Sequence, residues 1–219
     1  MRVIRSRRAR SRGLTTMDVL VGSTLSILAL GTTHGAFVAQ TRAFQSQSTY
    51  SQSQNVTRTA IDLMTRELRM AAYDPSGAAI PLTTGSCPAI KSGIMEASAT
   101  RLKFRQDLNG DGDVSDTGET VTYDLSEGNL RRQDGSATAV VVASDLPSNG
   151  LSFRYFDIAH VELVPSGSLT QNQRNCVAKV MVTLRANVTA AHAGAGHAPT
   201  HTAVAESEVA IRNLSLINF

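Results

Sequence analysis

Tryptophan is absent from this 219-residue chain, and cysteine occurs only twice. Two cysteines exclude a disulfide-rich miniprotein and a multi-cysteine zinc or iron–sulfur protein. Only one long apolar run is present, which excludes a polytopic membrane protein. No Gly-x-Ser-x-Gly, Walker loop, Rossmann glycine cluster or His-Glu-x-x-His occurs, so nothing in the sequence supports an enzyme. The apolar share of 42% suffices for a modest core, which argues against a disordered chain. Length allows one or two domains of roughly 100–200 residues.

Basic charge is a local feature. The chain has 21 Lys and Arg against 18 Asp and Glu, but Arg2, Arg5, Arg7, Arg8, Arg10 and Arg12 crowd the first thirteen positions, which hold no acid. Taking these 6 from the 21 leaves 15 basic residues against 18 acids, a net charge of −3. The body therefore lacks a nucleic-acid-binding charge, and no nucleic acid is expected as partner.

Behind the arginines runs an apolar stretch from Met17 to Val38. About 20 residues at ~1.5 Å each span ~30 Å of hydrocarbon, so one membrane-crossing helix is expected, with the arginines on the cytoplasmic side. Ser23, Thr24, Ser26, Thr32, Thr33 and His34 dilute it. A secretory signal peptide fits poorly: its core is ~7–15 residues, and no clear Ala-x-Ala site follows. Asp18 lies just inside the apolar start, where an ionisable group is expensive and asks for a function.

The segment Arg12-Gly13-Leu14-Thr15-Thr16-Met17-Asp18-Val19-Leu20-Val21 resembles a class III prepilin signal. The resemblance implies that residues 1–13 are a leader, that a membrane prepilin peptidase cuts between Gly13 and Leu14, and that the new Leu14 amine is N-methylated. Residues 14–39 then stay as the transmembrane and assembly helix. Leu14 stands where the family usually has Phe, and Asp18 where it usually has Glu. Physically, a carboxylate and an α-amine are each costly in hydrocarbon and offset one another. Pairing Asp18 with the Leu14 amine of a neighbouring subunit would set the axial register.

Val56, Ala60, Leu63, Met64, Leu68, Ala71 and Ala72 recur at steps of three and four, predicting that residues 40–73 continue as an amphipathic helix ended by Pro75 and Gly77. Ala60-Ile-Asp-Leu-Met-Thr-Arg-Glu-Leu-Arg-Met-Ala-Ala-Tyr73 resembles the helix end of PilW-like minor pilins. Beyond it, residues 76–219 are expected to form a β-rich head. Arg101–Arg105, Thr120–Leu125, Asn129–Gln133, Ala139–Ala143, Leu151–Phe156 and Val177–Arg185 alternate or run apolar, with a last strand within Val204–Leu216. Ser126-Glu127-Gly128 marks a hairpin. Ile211-Arg212-Asn213-Leu214 resembles the closing strand of such proteins. Strands after one long helix, without βαβ alternation, predict an α+β fold with an antiparallel sheet, type IV pilin-like by the resemblance. Ala190–Thr202 reads as an Ala/Gly/His loop.

In Asp107-Leu-Asn-Gly-Asp-Gly-Asp-Val-Ser-Asp-Thr-Gly-Glu119, Asp107, Asn109, Asp111 and Gly112 match positions one, three, five and six of a calcium loop. Position twelve is Gly118, so Asp113, Asp116 or Glu119 would have to close the shell around Ca2+. The plain alternative is a solvated acidic loop. Cys87 and Cys176 are expected to form a disulfide after export into an oxidising compartment, the alternative being two buried thiols. His192, His197 and His201 lie in a Gly-rich tract without carboxylates, a poor zinc site.

The PilW-like resemblance implies a minor pilin that primes or caps pilus assembly. Its expected partners are the prepilin peptidase, the major pilin, other minor pilins, a large tip adhesin and the inner-membrane assembly platform. Its expected location is the bacterial inner membrane, head in the periplasm, and then the fibre at the cell surface. Competing readings are a J-type pseudopilin of type II secretion, a membrane-tethered calcium-dependent adhesion module, and an anchored hydrolase using the histidine tract.

Overall fold

The computed structural model describes residues 15–82, 87, 93–189 and 200–211, with only the backbone for 188, 189, 200 and 201. The leader, the Gly13–Leu14 bond, His192, His197 and Arg212–Leu214 lie outside the described residues. The chain divides into two compact units, Met1–Ser46 and Gln47–Phe219.

One unbroken α-helix, α1, runs from Thr16 to Met70 over 55 residues. The stretch contains no proline to break the ladder, and a helix satisfies its backbone groups internally. In the second unit, Thr57, Ala60, Ile61, Met64 and Leu68 are the buried face. That face differs from the predicted one: Ile61 and Thr57 are in it, while Val56 is 40% exposed. Thr57 tolerates burial because its hydroxyl donates to the Ser53 carbonyl at 2.8 Å.

The helix also stops earlier than Pro75. Ala72 adopts a left-handed φ of 62°, and its N–H donates to the Arg105 carbonyl at 2.9 Å. A partner strand therefore takes the backbone donor that another helical turn would have used.

The rest is β-rich, and the head holds two antiparallel sheets where the sequence predicted one. The first sheet has the order β1-β2-β3-β4-β5, a meander of β1 Ile94–Ala97, β2 Arg101–Arg105, β3 Thr120–Ser126, β4 Asn129–Asp134 and β5 Val140–Ala143. The second has the order β7-β6-β8-β9, from β6 Leu151–Phe156, β7 Glu162–Leu163, β8 Lys179–Thr189 and β9 Thr200–Ala210. Long helix and antiparallel sheets together are an α+β fold. Leu151, Phe153 and Tyr155 face the core as their alternation predicted. The β3–β4 turn is the expected two-residue hairpin, with Glu127 and Gly128 at φ 51° and 74° and Ser126 opposite Asn129.

Four elements differ from expectation. β9 begins at Thr200, so residues 200–202 are strand rather than loop, held by pairing along β8 from Lys179↔Ala210 to Thr189↔Thr200. Its inward residues include Ala203, Ala205 and Ser207, small side chains that raise no hydrophobic signal; Thr65 of α1 donates to Ser207 at 3.1 Å. β1 and β7 escaped notice because they have four and two residues. The short helix α2, Gln171–Arg174, carries a capping box between Thr170 and Gln173, a legible Thr-x-x-Gln signature.

The core joins Met64 and Leu68 of α1 to Leu102, Phe104, Tyr123, Leu130, Tyr155 and Val182. At its edge Gly93 abuts the end of α1: a Cβ there would sit 2.5 Å from the Ala72 Cβ and 2.7 and 2.8 Å from its N and Cα. Gly93→Ala is therefore expected to destabilise the fold by about 3 kcal/mol, since backbone rather than a flexible side chain must move. Ala72→Gly should not rescue it, because it removes only one of the three clashing atoms. Denaturant melts of the three variants check this.

Candidate functional site

Two regions carry the chemistry: the apolar front of α1, and the acidic loop between β2 and β3.

In the first unit, α1 exposes large apolar side chains, from Met17, Val19 and Leu20 to Leu30 and Phe37, each at least 55% exposed. By length and composition this helix can cross a membrane. The hydroxyls that dilute it are spent inside it. Ser23 and Thr24 donate to the Leu20 carbonyl, Ser26 to Gly22, and Thr32 and Thr33 to Ala29, at 2.6–3.1 Å. Each bond removes a polar group that hydrocarbon would leave unsatisfied. Asp18 has a use within its own chain: Oδ2 accepts from the Thr15 N–H at 3.0 Å and its hydroxyl at 2.8 Å, and Asp18 N–H donates back to Thr15 Oγ1 at 3.3 Å. This is a capping box at the start of α1, readable as Thr-x-x-Asp.

The acidic loop brings Asp107, Asn109, Asp111, Asp116 and Glu119 together but engages them internally. Asp107 is fully buried; Oδ1 accepts from Gly110 N–H at 2.6 Å, and Oδ2 from Gly112 N–H and the Ser76 hydroxyl, both at 3.2 Å. Glu119, 1% exposed, accepts from Leu108 N–H at 2.9 Å and Asp116 N–H at 3.1 Å. Asn109 presents its NH2 to Asp111 at 3.0 Å and Asp116 at 2.7 Å. Asp113 accepts from Ser115 N–H and hydroxyl. The Asp113 N–H, then the Asn109 amide, hold the Asp111 carboxyl below the usual carboxylate range.

Among the described residues, no three acid, histidine or cysteine side chains are grouped to hold a metal. The two buried carboxylates close the loop on backbone N–H groups instead. Asp111, Asp113 and Asp116 are the exposed ones.

Three partners of the loop were not legible. Asp134 of β4 accepts from Gly118 N–H at 2.7 Å. Asp74 accepts from Gly77 and Ile80 N–H groups at 2.7 and 3.0 Å, shaping the segment that carries Ser76. Arg132 lies 3.6 Å from Asp134 and donates to Glu67 of α1 at 2.9 and 3.1 Å, where Tyr123 also donates. A chain of polar contacts thus runs from loop to helix, built from residues that a local sequence window never places side by side.

Cys87 and Cys176 form a disulfide, their Cα atoms 5.5 Å apart. Cys176 follows α2 and precedes β8, so the bridge reaches a turn and not the strand. His201 contributes backbone to β9. His160 sits in the β6–β7 turn at φ 62°, its Nδ1 3.1 Å from Lys179 Nζ.

No protein-family model and no curated protein matches the chain.

Proposed function

We propose that this chain is a type IV prepilin-like fibre subunit of the PilW-like minor pilin kind, held by one span in the bacterial inner membrane before assembly. The observation that carries the reading is one continuous helix from Thr16 to Met70, apolar and exposed at its front, with an acid near its start. Its hydroxyls are self-satisfied, so the front half suits both lipid and a bundle of like helices. The adjoining β-rich unit supplies the head, and the disulfide suits an exported one.

Terminal sequencing of protein from the cell envelope tests it. The mature chain should begin at Leu14, N-methylated, and Gly13→Val should block cleavage by crowding the scissile backbone. A mature terminus at Met1, or near Ala36, defeats the proposal. Asp18→Ala should leave cleavage intact and lower recovery in sheared fibres, because it strands an ammonium in an apolar bundle; Asp18→Glu should restore it.

The acidic loop enters as a calcium-responsive part of the head, through its exposed carboxylates. Millimolar calcium should raise the Tm of the full chain in detergent, and magnesium less, since it sheds water reluctantly. Asp111→Asn with Asp116→Asn should erase the effect. No shift in the unsubstituted chain leaves the loop closed by its own hydrogen bonds alone.

A further inference from the structure

A groove of about 920 Å³ opens beside the rear part of α1, within the second unit. Hydroxyl and amide side chains line it, Thr49, Gln52, Asn129 and Asn187 among them, and the charged residues in its lining are both acids, Glu127 and Asp145. Small-molecule sites of this volume are lined mostly by apolar and aromatic side chains; the polar lining here suits an occupant that forms hydrogen bonds along its length.

The two acids stand on separate loops that are clamped together. Leu146 N–H, next to Asp145, donates to the carbonyl of Gly128, next to Glu127, at 2.9 Å. A Cβ on Gly128 would lie 3.2 Å from the Leu146 carbonyl, so the approach is close. The Arg131 guanidinium, on the strand that follows the turn, is held by Asp124 through two bonds of 2.9 and 2.8 Å. The Asp145 carboxylate meets the Ser144 hydroxyl at 3.2 Å. Both acids are exposed.

Glu127 is also an awkward residue for its place. It sits at φ 51°, and Asp145 at φ 60°. Asn or Gly fills the first position of such a hairpin turn with less strain. Asn at 127 would serve the turn better.

The lining follows α1 from Thr49 to Thr57, about 12 Å at ~1.5 Å per residue. That length takes about three or four residues of extended chain at ~3.3 Å each. Amide side chains offer a donor and an acceptor each, as a peptide backbone does, and carboxylates pair best with guanidinium.

We propose that this groove binds an extended segment of a partner polypeptide carrying two cationic side chains. Glu127 and Asp145 take the cations, and the Gln52 and Asn187 amides take the backbone, while the Asn129 NH2 donates to the Glu127 carbonyl at 3.2 Å and braces the turn. Nothing in the site depends on entry into a fibre.

The test uses the full chain in neutral detergent and three probes: a fluorescein-labelled Gly-Arg-Gly-Arg-Gly amide, its Gly-Glu-Gly-Glu-Gly counterpart, and spermidine as competitor. Anisotropy should show saturable binding of the arginine peptide that weakens with salt, no binding of the acidic one, and poor competition by spermidine, which lacks a backbone to match the amides. Glu127→Asn combined with Asp145→Asn should weaken the arginine peptide about tenfold. The Tm of this variant should hold or rise, because Asn suits both left-handed positions. Loss of binding with gain of stability is an outcome that a purely structural role of the acids does not produce. Equal binding of both peptides, undiminished binding by the double variant, absence of binding, or spermidine matching the peptide would each overturn the proposal.

Discussion

Between about pH 10 and pH 12 the β-rich unit should lose several kcal/mol of stability, and two buried tyrosines are the cause. Tyr123 and Tyr155 are both 0% exposed. Tyr123 donates to Glu67 at 2.5 Å, and Tyr155 to the Ser98 carbonyl at 2.7 Å. Burial pushes both phenols well above their ordinary value of 10.0, with Glu67 adding to the effect at Tyr123 and Glu96 at Tyr155. In the unfolded chain they ionise near pH 10; in the folded chain they stay neutral. The stabilisation is thus complete below pH 10 and declines as pH rises through the window. Each phenol removes about 1.4 kcal/mol per pH unit. By pH 12 the pair removes roughly 5 kcal/mol, comparable to the whole stability of many domains, about 5–15 kcal/mol. Guanidinium melts at stepped pH measure the slope, and Tyr123→Phe with Tyr155→Phe should flatten it. A native protein whose four tyrosines all ionise near pH 10 would show that the phenols reach solvent.

Reduction of the disulfide has the other large effect. Cys87 and Cys176 are 89 residues apart. In the chain-entropy account a loop of that length stabilises by about 4–5 kcal/mol, through restriction of the unfolded chain. For a chain of this size that corresponds to a Tm lower by about 10–15 °C. Melting with and without reductant, beside a Cys87→Ser, Cys176→Ser variant, checks it. A non-reducing peptide map should find the linked pair. An unchanged melt on full reduction would mean that Cys176, anchored by the α2 turn, holds its surroundings without the bond.

Much of the architecture was legible because it rests on near neighbours in sequence. The apolar run, the period of the rear helix, the Glu127-Gly128 turn and the alternation in Leu151–Phe156 each depend on residues within a few positions of one another. Where reading failed, the deciding partner was far away or small. Arg105 takes the Ala72 N–H from 33 positions away and ends α1 at Met70, a few residues short of the Pro75 and Gly77 stop that the sequence announces. Alanine and serine fill the inner face of β9 ahead of Val209, so the strand expected within Val204–Leu216 starts earlier, at Thr200, and that extension shows in backbone pairing and not in hydropathy.

The acidic loop shows the division most sharply. A calcium-loop spacing in sequence says that oxygens are close along the chain; it does not say what they face. Folding turned Asp107 and Glu119 inward, where a buried carboxylate must be hydrogen-bonded, and the nearest donors were the loop's own N–H groups.

By itself, then, the sequence determined the kind of each main element, the apolar front of α1 and the only cysteine pair available. Periodicity and composition act over one or two turns, so they survive without a fold. The tertiary structure decided where α1 ends, that the strands part into two sheets, and which carboxylates hold the loop and which stay exposed. Those outcomes depend on burial, and burial is a property of what lies across from a residue, not of what lies beside it in the chain.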